Sequence, residues 1–302
     1  MLPMMISVVI PLFNKKQSIR STLDSVLSQT YQDYEVIVVD DGSTDDGAEI
    51  AKEKLIHSGI DVVFSLIRKE NGGVCSARNV GIRAAKGEWI AFLDADDLWE
   101  PTFLEEMVRL IIDFPNAGIV GSSYSFLKKG EKELANKPLE DSFRGIVDNR
   151  TWDKAHIYCS SAVVCLKRAL EEIGLFDERI AYGEDIDVWW RIMLRYPAAY
   201  VNKELAVYRL DEDNRAMNRK IPLEKLYINY FEKYSEARKE NTAFRHFIDK
   251  ECMWWLFPYF AENPKDANVR RILKQINLKE YKWSFRFRFM FPHLYTLIKG
   301  VR

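Results

Sequence analysis

Four short apolar runs alternate with helical segments over the first third of the chain, and this alternation constrains the fold more than any other feature. The runs lie at 6–11, 35–40, 61–67 and 88–94 and have the sequences ISVVIP, EVIVVD, DVVFSLI and EWIAFLD. Nearly continuous apolar runs of this length are typical of strands buried on both faces of a sheet. The order βαβαβαβ therefore predicts an α/β fold, with a doubly wound, mostly parallel sheet and helices on both of its faces.

The alternation loosens after Pro101. We predict a helix at about 102–114, a strand at about 117–127 and a polar linker at about 128–141, followed by a second region with alternating apolar and helical stretches. From Pro222 onward the pattern is helical and rich in aromatic residues. The sequence thus predicts two halves of one domain, 1–100 and 101–215, and a helical C-terminal extension, 216–302.

The charge, the length of the apolar runs and the cysteine spacing argue against several classes of protein. The net charge of −1 argues against a general nucleic-acid binder. No apolar run approaches the ~18–20 residues that span a bilayer, and the N-terminus lacks the basic residues of a signal peptide, so we expect a first strand there. The cysteines have no CxxC spacing, which favours reduced core thiols in a cytosolic protein over a metal or disulfide role; they are Cys75, Cys159, Cys165 and Cys252.

Polar residues follow each of the four predicted strands. Strand by strand they are Asn14, Asp40 and Asp41, Arg68 and Asn71, and Asp94 and Asp96. In open sheets of this kind, ligands bind beyond the carboxyl ends of the strands. We therefore expect these side chains to converge on one binding crevice.

The fourth strand ends in the acidic cluster of AFLDADDLW, which contains Asp94, Asp96 and Asp97. Like charges this close repel one another, so such a cluster usually holds a cation. An acidic boundary to the following helix is the alternative, since it would suit the helix dipole. The polar ends of the other three strands favour the cation site.

Two nucleotide-binding motifs are absent: no GxGxxG follows a strand, and there is no GxxxxGK[ST] loop. The chain instead carries, in order, VVIPLFN, QTYQDYEVIVVDDGSTD, ENGGVCSARNVGI, GEWIAFLDADD and GEDIDVWWR. With these five motifs the chain resembles family 2 glycosyltransferases of the GT-A fold over about residues 5–210. The resemblance implies a nucleotide-sugar donor, a saccharide acceptor, a divalent cation (Mg²⁺ or Mn²⁺) and transfer with inversion, in bacterial cell-surface polysaccharide or glycoconjugate synthesis.

The resemblance assigns the donor site to the strand ends. It implies that Asp41 accepts a hydrogen bond from uracil N3–H, and an acceptor-only carboxylate favours uracil or thymine over cytosine, which has no N3–H. Pro11 and Phe13 would form the wall beside the base, although core packing is an alternative for Phe13. Asn14 would also line this site.

The diphosphate end of the donor site falls on the next two motifs. Arg78 would contact the donor sugar and diphosphate, with a packing role as the alternative. In the DxD motif, Asp94 would reach the ribose or the sugar and Asp96 would ligate the metal, because residues i and i+2 of an extended segment face the same way. Asp97 fits better as a residue that orients the loop.

The acceptor side falls on the GEDIDVWWR motif. The resemblance implies that Asp185 is the catalytic base and that Glu184, its neighbour in the ED pair, helps to bind the acceptor. An acidic first helical turn is the alternative for both residues. Trp189 and Trp190 would stack on acceptor sugars or pack in the core.

In one respect the chain departs from the family pattern. Many relatives carry a His shortly after a Tyr-Arg pair as a further metal or phosphate contact, whereas here Tyr208-Arg209 is followed by LDEDNR. Four residues could take over this contact, as could water; they are Arg209, Asp211, Asp213 and Arg215.

Two other function classes remain open at this stage. A sugar-nucleotide nucleotidyltransferase also uses an acid-bound metal on an α/β sheet, but it would usually show an N-terminal glycine-rich loop, which VVIPLFNKK lacks. A non-catalytic nucleotide- or sugar-binding module is expected to lose Asp185 or the DxD motif, and this chain has both.

The C-terminal part has its own chemistry. Residues 265–302 carry ten Lys or Arg against Asp266 and Glu280, a net charge of +8, and 281–295 contain seven aromatic residues. Aromatic rings with interleaved basic residues favour a membrane–water interface. We therefore expect a cytoplasmic protein, peripheral on the inner face of the membrane, where a lipid-linked saccharide would be the acceptor; packing on the catalytic domain or a homodimer contact is the alternative.

Overall fold

A computed structural model of the protein describes residues 4–59, 62–135, 139–147, 152, 156–211 and 221–290. The chain forms two compact units. Unit 1 comprises Met1–Asn149, Lys154–Arg179 and Glu184–Asn218, and unit 2 comprises Arg150–Asp153, Ile180–Gly183 and Arg219–Arg302. Within the described ranges, no helix combines the length and the apolar character needed to cross a membrane.

The first half of unit 1 is parallel, as predicted. Its strands are β1 (Ile6–Leu12), β2 (Tyr34–Asp40), β3 (Val63–Arg68) and β4 (Trp89–Phe92), in the spatial order β3-β2-β1-β4. All three pairs are parallel, so the carboxyl ends of these four strands meet at one edge. The apolar runs of β1, β2 and β4 are almost entirely buried, which explains their lack of polar alternation.

The second half of the sheet is mixed and contains strands that the sequence did not predict. The order continues from β4 to β9 (Val163–Leu166), β6 (Ile119–Lys128), β10 (Ala198–Arg209) and β5 (Leu98–Trp99). β9 runs antiparallel to both β4 and β6, whereas β10 is parallel to β6. The expectation of a mostly parallel order therefore holds for the first half of the sheet.

The predicted polar linker contains a further strand, β7 (Glu131–Leu134), which pairs antiparallel with β6. The two strands are joined by Lys129 and Gly130, with φ angles of 50° and 81°, as a tight hairpin turn requires. Every residue of β7 is exposed, so the strand has no apolar pattern in the sequence. The short strand β8 (Arg144–Ile146) pairs with β10.

In its described residues, unit 1 has six α-helices: α1 (Ile19–Leu27), α2 (Gly47–Ile56), α3 (Val74–Ala84), α4 (Phe103–Asp113), α5 (Lys167–Glu172) and α6 (Glu184–Met193). The first four lie within the predicted helical segments. α3 approaches β1 closely at Gly81, where a Cβ atom would lie 2.3 Å from Cγ1 of Val9. Only glycine allows this approach, which brings the face of α3 that carries Arg78 against the sheet.

Unit 2 is helical, as the pattern after Pro222 predicted. After two 3₁₀ segments at Leu223–Lys225 and Tyr227–Tyr234, its helices are α7 (Ser235–Glu240), α8 (Thr242–Glu262), α9 (Ala267–Leu273) and α10 (Trp283–Met290). The alternating aromatic residues of the C-terminal part therefore begin in a helix and not in a strand, while residues 291–302 lie outside the described part of the chain.

A buried polar network organises the centre of unit 2. Asp249 Oδ1 accepts a hydrogen bond from Arg238 Nε at 2.9 Å, and its Oδ2 accepts one from the Tyr281 hydroxyl at 2.7 Å. The guanidinium of Arg238 also lies over the ring of Phe231, 4.3 Å from its centroid. These contacts tie α7, α8 and the segment before α10 together.

Candidate functional site

The predicted site residues of the first half lie at the carboxyl edge of the parallel strands. The acidic segment after β4 alternates in burial: positions 94, 96 and 98 are partly exposed, while 95, 97 and 99 are buried. Asp94 and Asp96 are both partly exposed, but they lie in a turn, closed by the Asp97 N–H donating to the Asp94 carbonyl at 3.0 Å, and not in the extended segment that we predicted.

Arg78 is almost completely buried, with 2% of its side chain exposed. One terminal nitrogen donates to Asp94 Oδ1 at 2.7 Å, and the other donates to Glu184 Oε1 at 3.0 Å. Its guanidinium also lies 5.3 Å from the centroid of the Phe176 ring. Arg78 thus joins the end of β4 to the start of α6 and brings the DxD and ED motifs together.

Asp96 has a cationic partner that the sequence analysis did not identify. Lys15 Nζ lies 2.5 Å from Asp96 Oδ2, and the two side chains are 15% and 18% exposed. Lys15 follows β1 in the chain, so this ion pair joins the ends of two neighbouring strands.

Asp97 is buried and orients the loop, as predicted. Its Oδ2 accepts a hydrogen bond from the Ser161 hydroxyl at 2.5 Å, and its Oδ1 accepts one from the Arg209 backbone N–H at 3.0 Å. Burial, together with the negative charges of Asp96 and Asp94, raises the pKa of Asp97 well above its usual range. The two hydrogen bonds hold this buried carboxyl in place, which suits a structural role.

Asp41 lies in a cradle of donors at the end of β2. Its carboxylate accepts hydrogen bonds from Lys69 Nζ (2.6 Å), the Gly72 N–H (3.0 Å) and the Gly73 N–H (2.8 Å). Gly73 has a φ of 86°, a conformation that favours glycine and directs this N–H at the carboxylate. A carboxylate offers about four lone-pair sites, so three donors leave room for one more.

Pro11 and Phe13, the two residues predicted to form the wall beside the base, lie at the end of β1 and directly after it. Phe13 is 45% exposed, which excludes core packing as its role. Pro11, two residues earlier, is partly buried. Asn14 adopts a positive φ of 53°, and its side-chain oxygen accepts a hydrogen bond from the Thr44 N–H at 2.8 Å, which fixes the β1 loop against the loop after β2.

The ED pair opens α6. Asp185 Oδ2 accepts a hydrogen bond from the Ser160 hydroxyl at 2.9 Å, and its Oδ1 accepts one from the Ile186 N–H at 2.7 Å. Burial and the adjacent charge of Asp185 raise the pKa of Glu184 to about 7, although Arg78 opposes this shift. Both side chains of the pair are partly exposed, and the Glu184 carboxyl is about half protonated near pH 7.

The structure corrects the expectation that Trp189 and Trp190 stack on acceptor sugars. Both rings lie in the core, with 1% and 0% of the residue exposed. Trp189 packs near the rings of Phe92 and Phe176, at centroid distances of 5.9 and 6.1 Å. The apolar face of α6 points at the sheet, so neither indole is available to a ligand.

Two candidates for the missing His contact lie in the described residues. Arg209 donates from its guanidinium to the Ser21 hydroxyl at 2.7 Å, and Asp211 accepts from the Lys129 N–H at 2.6 Å. Arg209 lies next to Asp97, because its backbone N–H donates to Asp97 Oδ1. Asp211 lies instead at the β6–β7 turn. Asp213 and Arg215 lie outside the described residues.

Four contact residues of this site were missed by the sequence analysis: Lys15, Lys69, Ser160 and Ser161. The two lysines directly follow residues already placed at strand ends, Asn14 and Arg68, so their position in the chain was an available signal. The two serines lie in a 3₁₀ segment before β9, and no spacing in the sequence links them to the acidic motifs.

The sequence matches the family model described as glycosyl transferase family 2 over residues 7–174, more than half of the chain. It is 30% identical over 239 residues to an uncharacterized glycosyltransferase of Rickettsia typhi, covering 77% of this chain and 73% of that protein. It is 29% identical over 269 residues to the putative teichuronic acid biosynthesis glycosyltransferase TuaG of Bacillus subtilis, covering 86% of this chain and 95% of TuaG.

Among solved structures, S. aureus TarS 1–349 in complex with UDP-GlcNAc superimposes with a TM-score of 0.61. The two chains are 19% identical, and the match covers 72% of this chain and 62% of the TarS chain. This likeness confirms the predicted fold.

The raised pKa of Glu184 predicts a specific pH dependence of stability. Its folded-state pKa of about 7 exceeds the ordinary value of 4.5, so between these values the folded state binds more protons than the unfolded state. The free energy of unfolding should therefore fall as the pH rises from 5 to 8, and Glu184→Gln should remove up to about 3 kcal/mol of that fall.

Urea unfolding of the wild type and Glu184→Gln at pH 5, 6, 7 and 8 measures this difference. Glu171→Gln, an exposed carboxyl in the same unit, serves as the control and should follow the wild type. A constant difference between Glu184→Gln and the wild type across this range would contradict the raised pKa.

Proposed function

The chain belongs to glycosyl transferase family 2, and from this premise we propose that it transfers a sugar from a UDP-sugar to a hydroxyl group of a saccharide acceptor, with inversion at the anomeric carbon. One observation carries the proposal: Arg78 holds Asp94 of the DxD motif and Glu184 of the ED pair on one guanidinium. A donor-binding acid and the residue next to the proposed base are thereby fixed in one site.

The donor half of the proposal rests on the Asp41 cradle. The remaining lone pair of Asp41 would accept the uracil N3–H, and the exposed ring of Phe13, with Pro11, would pack beside the base. TarS has been solved in complex with UDP and with UDP-GlcNAc, which supports a UDP-sugar donor. In this proposal Asn14 keeps the loop in place and Asp94 faces the ribose or the sugar.

A divalent cation, Mg²⁺ or Mn²⁺, is part of the proposed donor site, with Asp96 as its protein ligand. In the described part of the chain, no group of three or more His, Cys, Asp or Glu side chains is arranged to hold a metal. A single, partly exposed carboxylate nevertheless fits, because Mg²⁺ is commonly bound by one or two carboxylates together with substrate phosphates. When bound, the cation offsets the negative charge that develops on the leaving nucleoside diphosphate.

Asp185 is the proposed catalytic base. Ser160 and the Ile186 N–H hold its carboxylate, which remains partly exposed. Asp185 takes the proton of the acceptor hydroxyl as that oxygen attacks the anomeric carbon on the face opposite the diphosphate. The new glycosidic bond forms as the bond to the diphosphate oxygen breaks, so an α-linked donor gives a β-linked product.

The proposed acceptor is a bacterial cell-surface saccharide. TuaG, which matches over 86% of this chain, is described as a putative teichuronic acid biosynthesis glycosyltransferase. This supports a growing polysaccharide or glycoconjugate as the acceptor. With Trp189 and Trp190 in the core, the proposed acceptor contacts lie around the start of α6 and involve Glu184.

The decisive variant is Asp185→Asn. It keeps the shape and the hydrogen bond from Ser160 but removes the base, so we expect transfer to fall ~10²–10⁴-fold while UDP binding in the presence of Mn²⁺ stays close to that of the wild type. UDP release from a panel of UDP-sugars, with and without saccharide acceptors, measures transfer, and calorimetry measures binding.

Asp46→Asn, at the N-terminal boundary of α2, controls for the loss of a carboxylate from a helix start. If Asp185→Asn transferred sugar as fast as this control, Asp185 would be only an acidic residue at the start of a helix and not the catalytic base. Pyrophosphate release from UTP and a sugar 1-phosphate would instead identify a nucleotidyltransferase, and UDP-sugar binding without turnover would identify a binding module.

We also propose that unit 2 docks on an anionic membrane surface, with the enzyme in the cytoplasm. Trp254 and Trp283 are 58% and 61% exposed, and the guanidinium of Arg288 lies 5.0 Å from the centroid of the Trp254 ring. Each basic residue near such a surface gains up to ~1 kcal/mol, and residues 265–302 carry a net charge of +8. A lipid-linked saccharide would then be available as the acceptor.

Flotation with anionic and neutral liposomes tests the docking. The full chain should float with anionic liposomes at low salt, and the double variant Trp254→Ser, Trp283→Ser should bind about tenfold more weakly. Leu134→Ser with Ile146→Ser, two exposed apolar residues of unit 1, is the matched control. A wild type that stays unbound, or that only dimerises, would overturn the docking.

A further inference from the structure

The ion pair between Lys15 and Asp96 places a cation beside the carboxylate to which we assign the metal. The Nζ–Oδ2 distance is 2.5 Å, and both side chains are mostly buried. Lys15 is the only residue of the described chain whose side chain forms an ion pair or a hydrogen bond with Asp96. A divalent cation bound to Asp96 would lie close to this ammonium group, and the two positive charges would repel one another.

The backbone of Lys15 is fixed, but its side chain can turn. The Lys15 carbonyl accepts hydrogen bonds from the Ser18 and Ile19 N–H groups, at 3.1 and 3.0 Å, and so anchors the start of α1. The ammonium group lies at the end of a flexible four-carbon chain and has three N–H donors. As a compact positive charge, it can bind phosphate oxygens. The backbone of Lys15 is therefore fixed in position, while its charged group can move.

A nucleoside diphosphate brings negative charge to the same carboxyl edge. In the free protein, the ammonium group of Lys15 offsets the charge of Asp96, while Asp94 in the same turn is paired with Arg78. Once a cation neutralises Asp96, the ammonium group loses this partner while unpaired phosphate oxygens arrive beside it. Charge balance favours a transfer of Lys15 from the carboxylate to the phosphates.

We propose that Lys15 is a diphosphate-binding residue that holds Asp96 in the free protein and moves to the phosphate oxygens when the donor binds. This inference rests on the proposed UDP-sugar donor. It assigns Lys15 two opposite effects: it weakens the binding of the metal alone and strengthens the binding of the nucleotide. A residue that only stabilises the fold would not produce effects of opposite sign.

Three calorimetric titrations of Lys15→Met test the proposal on the full chain. Mn²⁺ alone should bind to Lys15→Met at least about threefold more tightly than to the wild type, because the ammonium group that competes for Asp96 is gone. UDP in the presence of saturating Mn²⁺ should bind about tenfold more weakly, because a charged hydrogen bond to phosphate is lost. Uridine, which lacks phosphates, should bind as it does to the wild type.

Two further variants complete the design. Lys16→Met removes the same charge from an exposed neighbouring position and should leave all three titrations unchanged. Lys15→Arg keeps a cation at the site and should recover most of the UDP affinity. Circular dichroism of each variant shows whether it is folded.

The possible outcomes distinguish a failure of the proposed UDP-sugar donor from a failure of the role proposed for Lys15. A wild type that binds no UDP, with or without Mn²⁺, overturns the proposed donor and this inference with it. A wild type that binds UDP together with a Lys15→Met variant of equal UDP affinity overturns the role of Lys15 alone. Equal losses of UDP and uridine, or unchanged Mn²⁺ affinity, would also overturn it, because Lys15 would then act on the base pocket or the fold.

Discussion

A single buried guanidinium determines the geometry of the site. Arg78 is almost inaccessible to water, so its charge is tolerable only because Asp94 and Glu184 accept its hydrogen bonds. Breaking such a pair typically costs about 3–5 kcal/mol, since a buried charge is left uncompensated. Because α3 presses on the sheet at Gly81, the guanidinium has little freedom to leave. Residues that are far apart in the chain are thereby held in one arrangement.

The other carboxyl groups at the strand ends are each stabilised by different partners. Asp96 has the ammonium group of Lys15, Asp41 has Lys69 and two backbone N–H groups, and Asp97 has the Ser161 hydroxyl and the Arg209 N–H. This explains how a strand can end in crowded acidic residues without unfolding its own loop. It also means that the carboxylates are held in place before a substrate arrives, which is the arrangement that electrostatic stabilisation requires.

Much of the first half of the molecule could be predicted from the sequence, because buried parallel strands and amphipathic helices leave strong periodic signals. The acidic residues were placed at the correct strand ends for the same reason. The exposed strand β7 leaves no such signal, and neither does the pairing of Lys15 with Asp96, which depends on which strands are neighbours. The burial of Trp189 was misassigned because a helix with aromatic residues presents the same sequence whether its rings face a ligand or a core.

The central claim is that UDP binds at the carboxyl edge of the parallel strands, over a site held together by Arg78. A crystal structure of the protein with UDP and Mn²⁺ tests it most directly. The account predicts an Asp41 carboxylate oxygen within hydrogen-bonding distance of uracil N3, the diphosphate beside Asp96, and Arg78 still joined to Asp94 and Glu184. UDP bound elsewhere, or an Arg78 side chain that has left both carboxylates to grip the phosphates, would contradict it.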